Sequence, residues 1–383
     1  MSTGGAQVFG DLPAALVEEA LQLAADIGQQ ILDELELTTK QREAWREGME
    51  NAGVIRHEAD LPNVQVPTTC GVDGSYAVER LLGIDLVGVA AVAVEGLTPP
   101  SERRHWDQPH HKVLVQREVH DAQTGTLLRA LMMGYELELA TAAPHQVVFV
   151  DGSLTTPLIH LNQALNALAA CGHLGVAAKL REVVPAFLAN YHSVLAGARS
   201  DRTPVAVPKY TARREIGASL GWPPEYDDKA MLTLLLRPGE FSEPMPLQET
   251  DQPWHLNTAA LGGIQPGLMN AAKSVLTLLD EVFVLYYRPN RWQPAVRLEV
   301  PRAVAQTPGR LANVVSATKH QSGAAAIMEP YPLYMADRMV KHLSTVLPTF
   351  RHVATQTVAE RFSGDVDEVY LSMHGYRTEA GGD

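Results

Sequence analysis

The chain has 383 residues, 46% of them hydrophobic and 20% charged, which suits a globular protein with a large core. Its two cysteines cannot build a disulfide framework or a zinc cluster, so a cytoplasmic protein is expected, with any metal held by oxygen or imidazole ligands. The net charge of −13 argues against a generic basic nucleic-acid binder but allows a local acidic metal site. No apolar run reaches the roughly 18 residues of a membrane span.

The first predicted elements are helices. Apolar residues at three- and four-residue steps predict an amphipathic helix over 11–37, and a second helix is predicted over 39–52. Neither helix carries a catalytic spacing, so we interpret residues 1–60 as an N-terminal helical extension for packing or partner contact. Residues 60–69 contain two prolines and indicate a linker, and residues 61–383 are expected to form an α/β domain with helical insertions.

Strand and helix patterns alternate through this second region. Strands are predicted where apolar and β-branched residues run together or alternate with polar ones, and helices where apolar residues recur at helical spacing. The predicted strands are a short one ending at Val72, then 84–94, 112–120, 147–150, 203–207, 281–287 and 295–300. The predicted helices are 125–143, 157–170, 174–197, 227–236, 309–320 and 332–346.

Two Val-Asp-Gly-Ser sequences, at 72–75 and 150–153, carry the clearest chemistry. Each places an aspartate where an apolar strand is predicted to stop, and ligands of α/β sheets gather at the carboxyl ends of strands. One Asp-Gly pair is equally well explained as a turn, whereas two copies favour a site. Asp73 and Asp151 could share Mn²⁺ or Mg²⁺, and two ions about 4 Å apart can clamp a phosphodiester.

Further carboxylates lie in predicted helices. Glu136 and Glu138 precede the second motif, and because residues two apart face different sides of a helix, at most one should face the site; we prefer Glu136. Asp337 follows Pro332, which fits a first helical turn, and could project into the same site. The alternatives are a solvated glutamate and a surface ion pair between Asp337 and the arginine that follows it.

The order of the motifs resembles that of the NurA nucleases, over roughly residues 68–345. The shared series is DGS, a glutamate-bearing helix, an apolar strand with DGSL, an isolated lysine after a strand, VRLEVP, and YPL-x-x-AD. The resemblance implies a ribonuclease H-like core with a central mixed sheet flanked by helices. It also implies a homodimer that processes DNA ends with a HerA-like hexameric ATPase, in repair or phage defence. The implied activity is Mn²⁺- or Mg²⁺-dependent, with two ions per site, of the single-strand endonuclease and 5′-to-3′ exonuclease type.

Residue by residue, the resemblance implies a catalytic set. Asp73 and Asp151 match the metal-binding aspartates, and Glu136, or less well Glu138, matches the helix glutamate. Asp337 falls where archaeal members carry a histidine, a departure that a hard cation tolerates. Two further residues, Lys209 and Glu299, match recurring family positions. Lys209 is expected to offset negative charge on the phosphate, with an ordinary surface lysine as the alternative, and Glu299 to ligate or to pair with an arginine.

Candidate DNA contacts complete the prediction. The hydroxyls of Ser75 and Ser153 could bind a phosphate or orient the neighbouring carboxylates. Arg291 and Arg297 belong to a possible phosphate-contacting stripe, and Tyr331 could stack on a base. The alternatives are a solvated edge for the arginines and packing beneath a helix for the tyrosine.

Two other functions would also account for parts of the sequence. A phosphotransferase of the actin and sugar-kinase class would also use Asp-Gly-Ser turns against phosphates, but the Gly-rich turn that binds adenosine is not found in the C-terminal half. A non-catalytic adaptor could dock on an ATPase ring through the N-terminal helices. The presence of both Asp73 and Asp151 argues against that adaptor.

Overall fold

The computed structural model describes residues 12–248, 252–265 and 267–381. The chain divides into two compact units, Met1–Val54 and Ile55–Asp383. In the first unit one 38-residue helix, α1 (Ala14–Asn51), replaces the two predicted helices. The threonine pair at the expected break does not interrupt it, since the Thr39 hydroxyl donates to the Leu35 carbonyl at 2.8 Å inside the helix. The predicted start at residue 11 lies outside the described residues.

The second unit combines a sheet with helices. Its strands are β1 (Ile55–His57), β2 (Thr69–Leu81), β3 (Asp85–Glu95), β4 (His110–Glu118), β5 (Val147–Asp151), β6 (Thr203–Val207), β7 (Glu240–Ser242), β8 (Met245–Pro246), β9 (Val282–Tyr287), β10 (Val296–Pro301) and β11 (Gly375–Gly381). Its helices are α2 (Thr124–Ala142), α3 (Thr156–Ala167), α4 (Gly175–Ala196), α5 (Glu215–Leu220), α6 (Asp228–Leu235), α7 (Thr258–Ile264), α8 (Leu268–Leu279), α9 (Arg302–Ala305), α10 (Pro308–Gln321), α11 (Tyr331–Lys341), α12 (Leu343–Arg361) and α13 (Val366–Ser372). Among the described helices, none combines the length and the apolar character that a membrane crossing needs.

The strands of the described residues form one mixed sheet of eleven strands. Its main path runs β1-β7-β9-β10-β6-β5-β2-β3-β4, while β11 pairs with β2 and β8 with β9. The central pairs β2–β5 and β5–β6 are parallel and the others are antiparallel. The predicted α/β class, a central mixed sheet with flanking helices, is confirmed.

The sheet is covered on both faces by helices. On β5, Val148 and Val150 belong to the core formed with α2, α3 and α4. Val147 and Phe149 point to the other face, into the core formed with α10 and α11. This alternation explains why the strand is apolar from Val147 to Val150, as predicted for a strand that is buried on both sides.

The boundary between the units falls before β1, not at the predicted position after residue 60. Residues Ile55–His57 pair antiparallel with Glu240–Ser242 of β7 and so belong to the sheet. The sequence gives little signal for so short a strand. The predicted helix 332–346 is likewise two helices, since α11 ends at Lys341 and α12 begins at Leu343.

A buried histidine lies in the connection between α2 and β5. The ring of His145 meets those of His105 and Trp106 at centroid distances of 4.9 and 4.6 Å, and its Nε2 lies 3.6 Å from Oε1 of Glu95. Burial lowers the pKa of His145 to about 4, although Glu95 opposes the shift. The imidazole is therefore neutral near pH 7.

We expect His145 to make folding sensitive to acid. Between about pH 6.5 and 4 the unfolded chain binds a proton that the folded imidazole does not, so the free energy of unfolding falls as the pH drops. His145→Leu should flatten this dependence by up to about 3 kcal/mol in urea unfolding experiments. His111→Leu, at an exposed position, is the control and should keep the wild-type slope. An unchanged slope in His145→Leu would contradict the neutral buried ring.

Candidate metal centre

The first Val-Asp-Gly-Ser sequence lies inside a strand. The prediction that Asp73 ends its strand is wrong, because β2 continues to Leu81 and pairs with β3 along almost its whole length. The opposite edge of β2 is divided between two partners. Residues 69–72 pair with β5, and residues 76–81 pair with β11. Asp73 therefore lies at a gap in the sheet and not at the end of its strand.

The second sequence ends its strand as predicted. Asp151 is the last residue of β5, and Gly152 adopts a left-handed φ of 76°, a conformation that favours glycine. The Gly152 amide donates to Asp151 Oδ1 at 3.0 Å, and the Gly74 amide donates to Asp73 Oδ1 at 2.7 Å. Because Val72 pairs with Val150 in the parallel register, the two aspartates lie side by side.

The third carboxylate comes from α11, which lies against β2. Asp337 is one and a half turns into this helix, and one oxygen from each of Asp73, Asp151 and Asp337 lies within 4.8 Å of the other two. We call these three residues the aspartate cluster. Asp73 and Asp151 are buried, while Asp337 is partly exposed. The prediction that acidic oxygens from distant parts of the chain meet in space agrees with this geometry.

Gly71 allows α11 to pack closely against β2, because glycine has no β-carbon at the contact. A β-carbon at Gly71 would lie 2.4 Å from the backbone carbon of Pro332 and 2.5 Å from the backbone nitrogen of Leu333. Backbone atoms cannot rotate away, so a side chain here must displace the helix that carries Asp337.

Gly71→Ala is therefore expected to lower the free energy of unfolding by about 1–3 kcal/mol. Urea denaturation measures this change. Gly83→Ala is the matched control, because its β-carbon would meet no heavy atom within 4 Å. Equal stability of the two variants would show that the close contact between β2 and α11 is not present in solution.

Lys209 contributes a positive charge to the cluster. This residue follows β6, and its Nζ lies 2.9 Å from Asp151 Oδ2, 3.1 Å from Asp337 Oδ1 and 3.4 Å from Glu329 Oε2. Glu329, just before α11, was not predicted as a site residue. Its signal was its place immediately before the Pro-Tyr-Pro that opens the helix.

Burial and mutual repulsion shift the pKa values of the cluster. Burial raises the pKa of Asp73 to about 8, and the charge of Asp151 adds to the rise. Burial also raises the pKa of Asp151, against the opposing charge and hydrogen bond of Lys209. Burial alone would lower the pKa of Lys209. The charges of Asp151, Glu329 and Asp337 have the larger, opposite effect, so the lysine pKa is raised. The single ammonium of Lys209 therefore does not neutralise the buried carboxylates. A divalent cation would supply the missing positive charge.

The donor set suits a hard divalent cation. Carboxylate oxygens are the ligands that Mn²⁺ and Mg²⁺ prefer, and three of them on separate elements leave room for water and substrate. Asp73, Asp151 and Asp337 are the residues that would hold such an ion.

Comparison with known proteins identifies the family. The sequence matches the NurA domain over residues 67–342, which is most of the chain. The chain belongs to the NurA family. The resemblance drawn from the order of the motifs is confirmed. A search of the curated proteins found no match.

Solved NurA structures share the fold. The NurA nuclease from Sulfolobus solfataricus is 13% identical with a TM-score of 0.59, over 90% of this chain and 98% of that chain. A crystal structure of NurA with manganese is 14% identical with a TM-score of 0.54, over 90% and 99% of the two chains. A further NurA structure is 13% identical with a TM-score of 0.52, over 91% and 99%.

Two predicted glutamates of this NurA chain lie outside the aspartate cluster. Glu136 on α2 is buried beneath Gly74, where a β-carbon would come within 2.3 Å of Glu136 Oε1. Gly74 and Asp73 face opposite sides of β2, so Glu136 approaches from the other face of the sheet. Glu138 does not reach the site: its side chain is 41% exposed and pairs with Lys112 at 2.5 Å. The rule that residues two apart on a helix diverge holds here.

Glu299 and Arg297 support the second motif from within the NurA core. Glu299 Oε2 accepts hydrogen bonds from the Ser153 hydroxyl at 2.7 Å and the Leu154 amide at 2.9 Å. Arg297 donates from Nε to Glu299 Oε1 at 3.0 Å. The prediction of a DNA contact by Arg297 is wrong, because its side chain is fully buried. Ser153 is partly exposed, and its hydroxyl orients the loop through Glu299.

The other predicted DNA contacts are placed differently. Ser75 is buried within β2, which excludes a direct contact with DNA in this conformation. Arg291, between β9 and β10, is exposed and available to a phosphate. Tyr331 is partly exposed at the first position of α11, six residues before Asp337.

Proposed function

We propose that this chain is a Mn²⁺- or Mg²⁺-dependent DNA nuclease, a phosphodiesterase of the NurA type. The convergence of Asp73, Asp151 and Asp337 beside Lys209 carries the proposal. Similar solved structures support it, since one is a NurA nuclease and another is NurA with manganese. Family membership favours this function over the phosphotransferase and adaptor alternatives.

The residues of the site have separate roles in the proposed reaction. Asp73, Asp151 and Asp337 would hold divalent cations, two per site in this proposal, through carboxylates that strand and helix backbone fix in place. Such ions would supply Lewis-acid polarisation of the scissile phosphate and activation of water. Lys209 offsets negative charge that develops on the phosphate. Glu136, the helix glutamate that the family resemblance implies for the catalytic set, lies buried beneath Gly74.

The finer proposal concerns partners and substrate. We infer a ribonuclease H-like core, which the run β4-β3-β2-β5-β6 supports through its antiparallel and then parallel pairing. We also infer a cytoplasmic homodimer that processes DNA ends with a HerA-like hexameric ATPase, in repair or phage defence. The net charge of −13 supports delivery of DNA by a partner, because the isolated protein repels the phosphate backbone.

The test is cleavage of labelled single-stranded DNA in Mn²⁺, with EDTA as the metal-free control. We expect Mn²⁺-dependent cleavage by the wild type and none above background by Asp73→Ala. Circular DNA reports endonuclease action, and strands labelled at the 5′ or the 3′ end report the direction of exonuclease action. Equal cleavage by the two proteins would defeat the proposal.

A further inference from the structure

Lys209 bridges two groups of carboxylates. Asp151 and Asp337 belong to the aspartate cluster, whereas Glu329 lies outside it on the approach to α11. The lysine side chain is 26% exposed and the Glu329 side chain 15%, so water screens neither charge fully. The ammonium is thus shared between the cluster and one outer carboxylate.

Glu329 is held mainly by charge. Among the described residues its buried Oε2 has no partner in hydrogen-bond geometry, and its direct ion pair is the 3.4 Å contact with Lys209. A buried carboxylate needs such compensation, since loss of the partner leaves an uncompensated charge. The ion pair with Lys209 therefore accounts for the position of the Glu329 carboxylate.

A divalent ion at the cluster would compete with Lys209. The ion needs an oxygen from each of Asp151 and Asp337, the carboxylates that the ammonium contacts at 2.9 and 3.1 Å. Two cations a few ångströms apart in a partly buried site repel strongly. Lys209 must withdraw from these aspartates, and Glu329 offers a second anchor without removing the lysine from the site.

We propose that Lys209 is the counter-cation of the metal-free aspartate cluster and that Glu329 is a positioning residue that retains Lys209 beside the cluster when a divalent ion displaces it. This inference rests on the proposed metal-dependent function and adds a role for Glu329 through Lys209. Glu329 in this account binds neither the ion nor the DNA.

Calorimetric titration with MnCl₂ tests the proposal in a double-mutant cycle. Lys209→Met removes the competing charge, so it should bind Mn²⁺ at least about tenfold more tightly than the wild type. Glu329→Gln removes the second anchor, so Mn²⁺ should bind about three- to tenfold more weakly. In the Lys209→Met background, Glu329→Gln should change the affinity by less than about twofold, because the residue acts through the lysine.

Thermal unfolding gives an independent measurement. Lys209→Met should lower the Tm of the metal-free protein, because carboxylates lose their counter-cation, and Mn²⁺ should restore it. Lys341→Met is the matched control: its Nζ lies 2.8 Å from Asp337 Oδ2, but its side chain is 70% exposed. Solvent screening should keep its change in Mn²⁺ affinity below about threefold.

The outcomes separate the hypotheses. Unchanged Mn²⁺ affinity in Lys209→Met would overturn the role of counter-cation. An equal loss of affinity from Glu329→Gln in both backgrounds would make Glu329 a metal ligand and overturn the positioning role. Failure of the wild type to bind Mn²⁺ at all would remove the proposed nuclease function, and this inference with it.

Discussion

Asp151→Asn is expected to slow Mn²⁺-dependent cleavage of single-stranded DNA by at least about 100-fold, the upper end of what loss of a residue that only supports a metal ligand costs. Asparagine has nearly the same shape and can still accept the 3.0 Å hydrogen bond from the Gly152 amide through Oδ1. It removes the negative charge that faces Lys209 at 2.9 Å. The loss should therefore reflect weaker metal binding and not a disturbed loop.

Initial cleavage rates over a range of Mn²⁺ concentrations measure the effect. Calorimetry on the same protein should show weaker Mn²⁺ binding, while circular dichroism and the Tm report an intact fold. Asp280→Asn, at an exposed helix end, is the matched control and should cleave at the wild-type rate. A rate in Asp151→Asn within about threefold of the wild type would exclude Asp151 as a ligand, since even supporting residues cost more.

The second motif could be predicted because its signal is local. Four apolar residues followed by Asp-Gly predict a buried strand and a turn, and β5 with Gly152 has that form. Helix periodicity likewise placed α2, α4 and α10 within one or two residues of their observed ends. Each of these patterns depends on near neighbours in the chain.

The setting of the first motif could not be predicted from neighbours. Asp73 belongs to a long strand, and the site opens there because β5 ends and β11 begins on the same edge of β2. Strand β11 lies about 300 residues further along the chain, a distance over which short patterns carry no information. Asp73 lies beside Asp151 and Asp337, but at a gap in the sheet and not at the predicted strand end.

Buried ion pairs are a second feature that the sequence does not predict. A sequence pattern does not distinguish an arginine on a surface from one in a core, since both carry the same charge. Arg297 alternates with apolar residues in β10 and was assigned to DNA, yet the opposing carboxylate comes from Glu215, 82 positions away. Glu329 cannot be identified from its neighbours for the same reason, because its partner Lys209 lies 120 positions earlier in the chain.

Arg297→Met is expected to lower the free energy of unfolding by about 3–5 kcal/mol, the cost of breaking a buried ion pair. The guanidinium donates to both oxygens of Glu215 at 2.8 Å and to Glu299 at 3.0 Å. Both carboxylates are almost fully buried, so the variant leaves two charges without their partner. Urea denaturation, monitored by circular dichroism, measures the loss.

The same substitution at Arg291 separates stability from DNA binding. Arg291 is exposed, so Arg291→Met should change the free energy of unfolding by less than about 0.5 kcal/mol. If Arg291 contacts a phosphate, its removal should instead reduce the salt dependence of DNA binding.

Arg297→Met should also reduce cleavage, because Glu299 holds Ser153 and Leu154 beside Asp151. Full stability of Arg297→Met together with a changed salt dependence would restore the arginine to the DNA-binding surface and contradict its buried position.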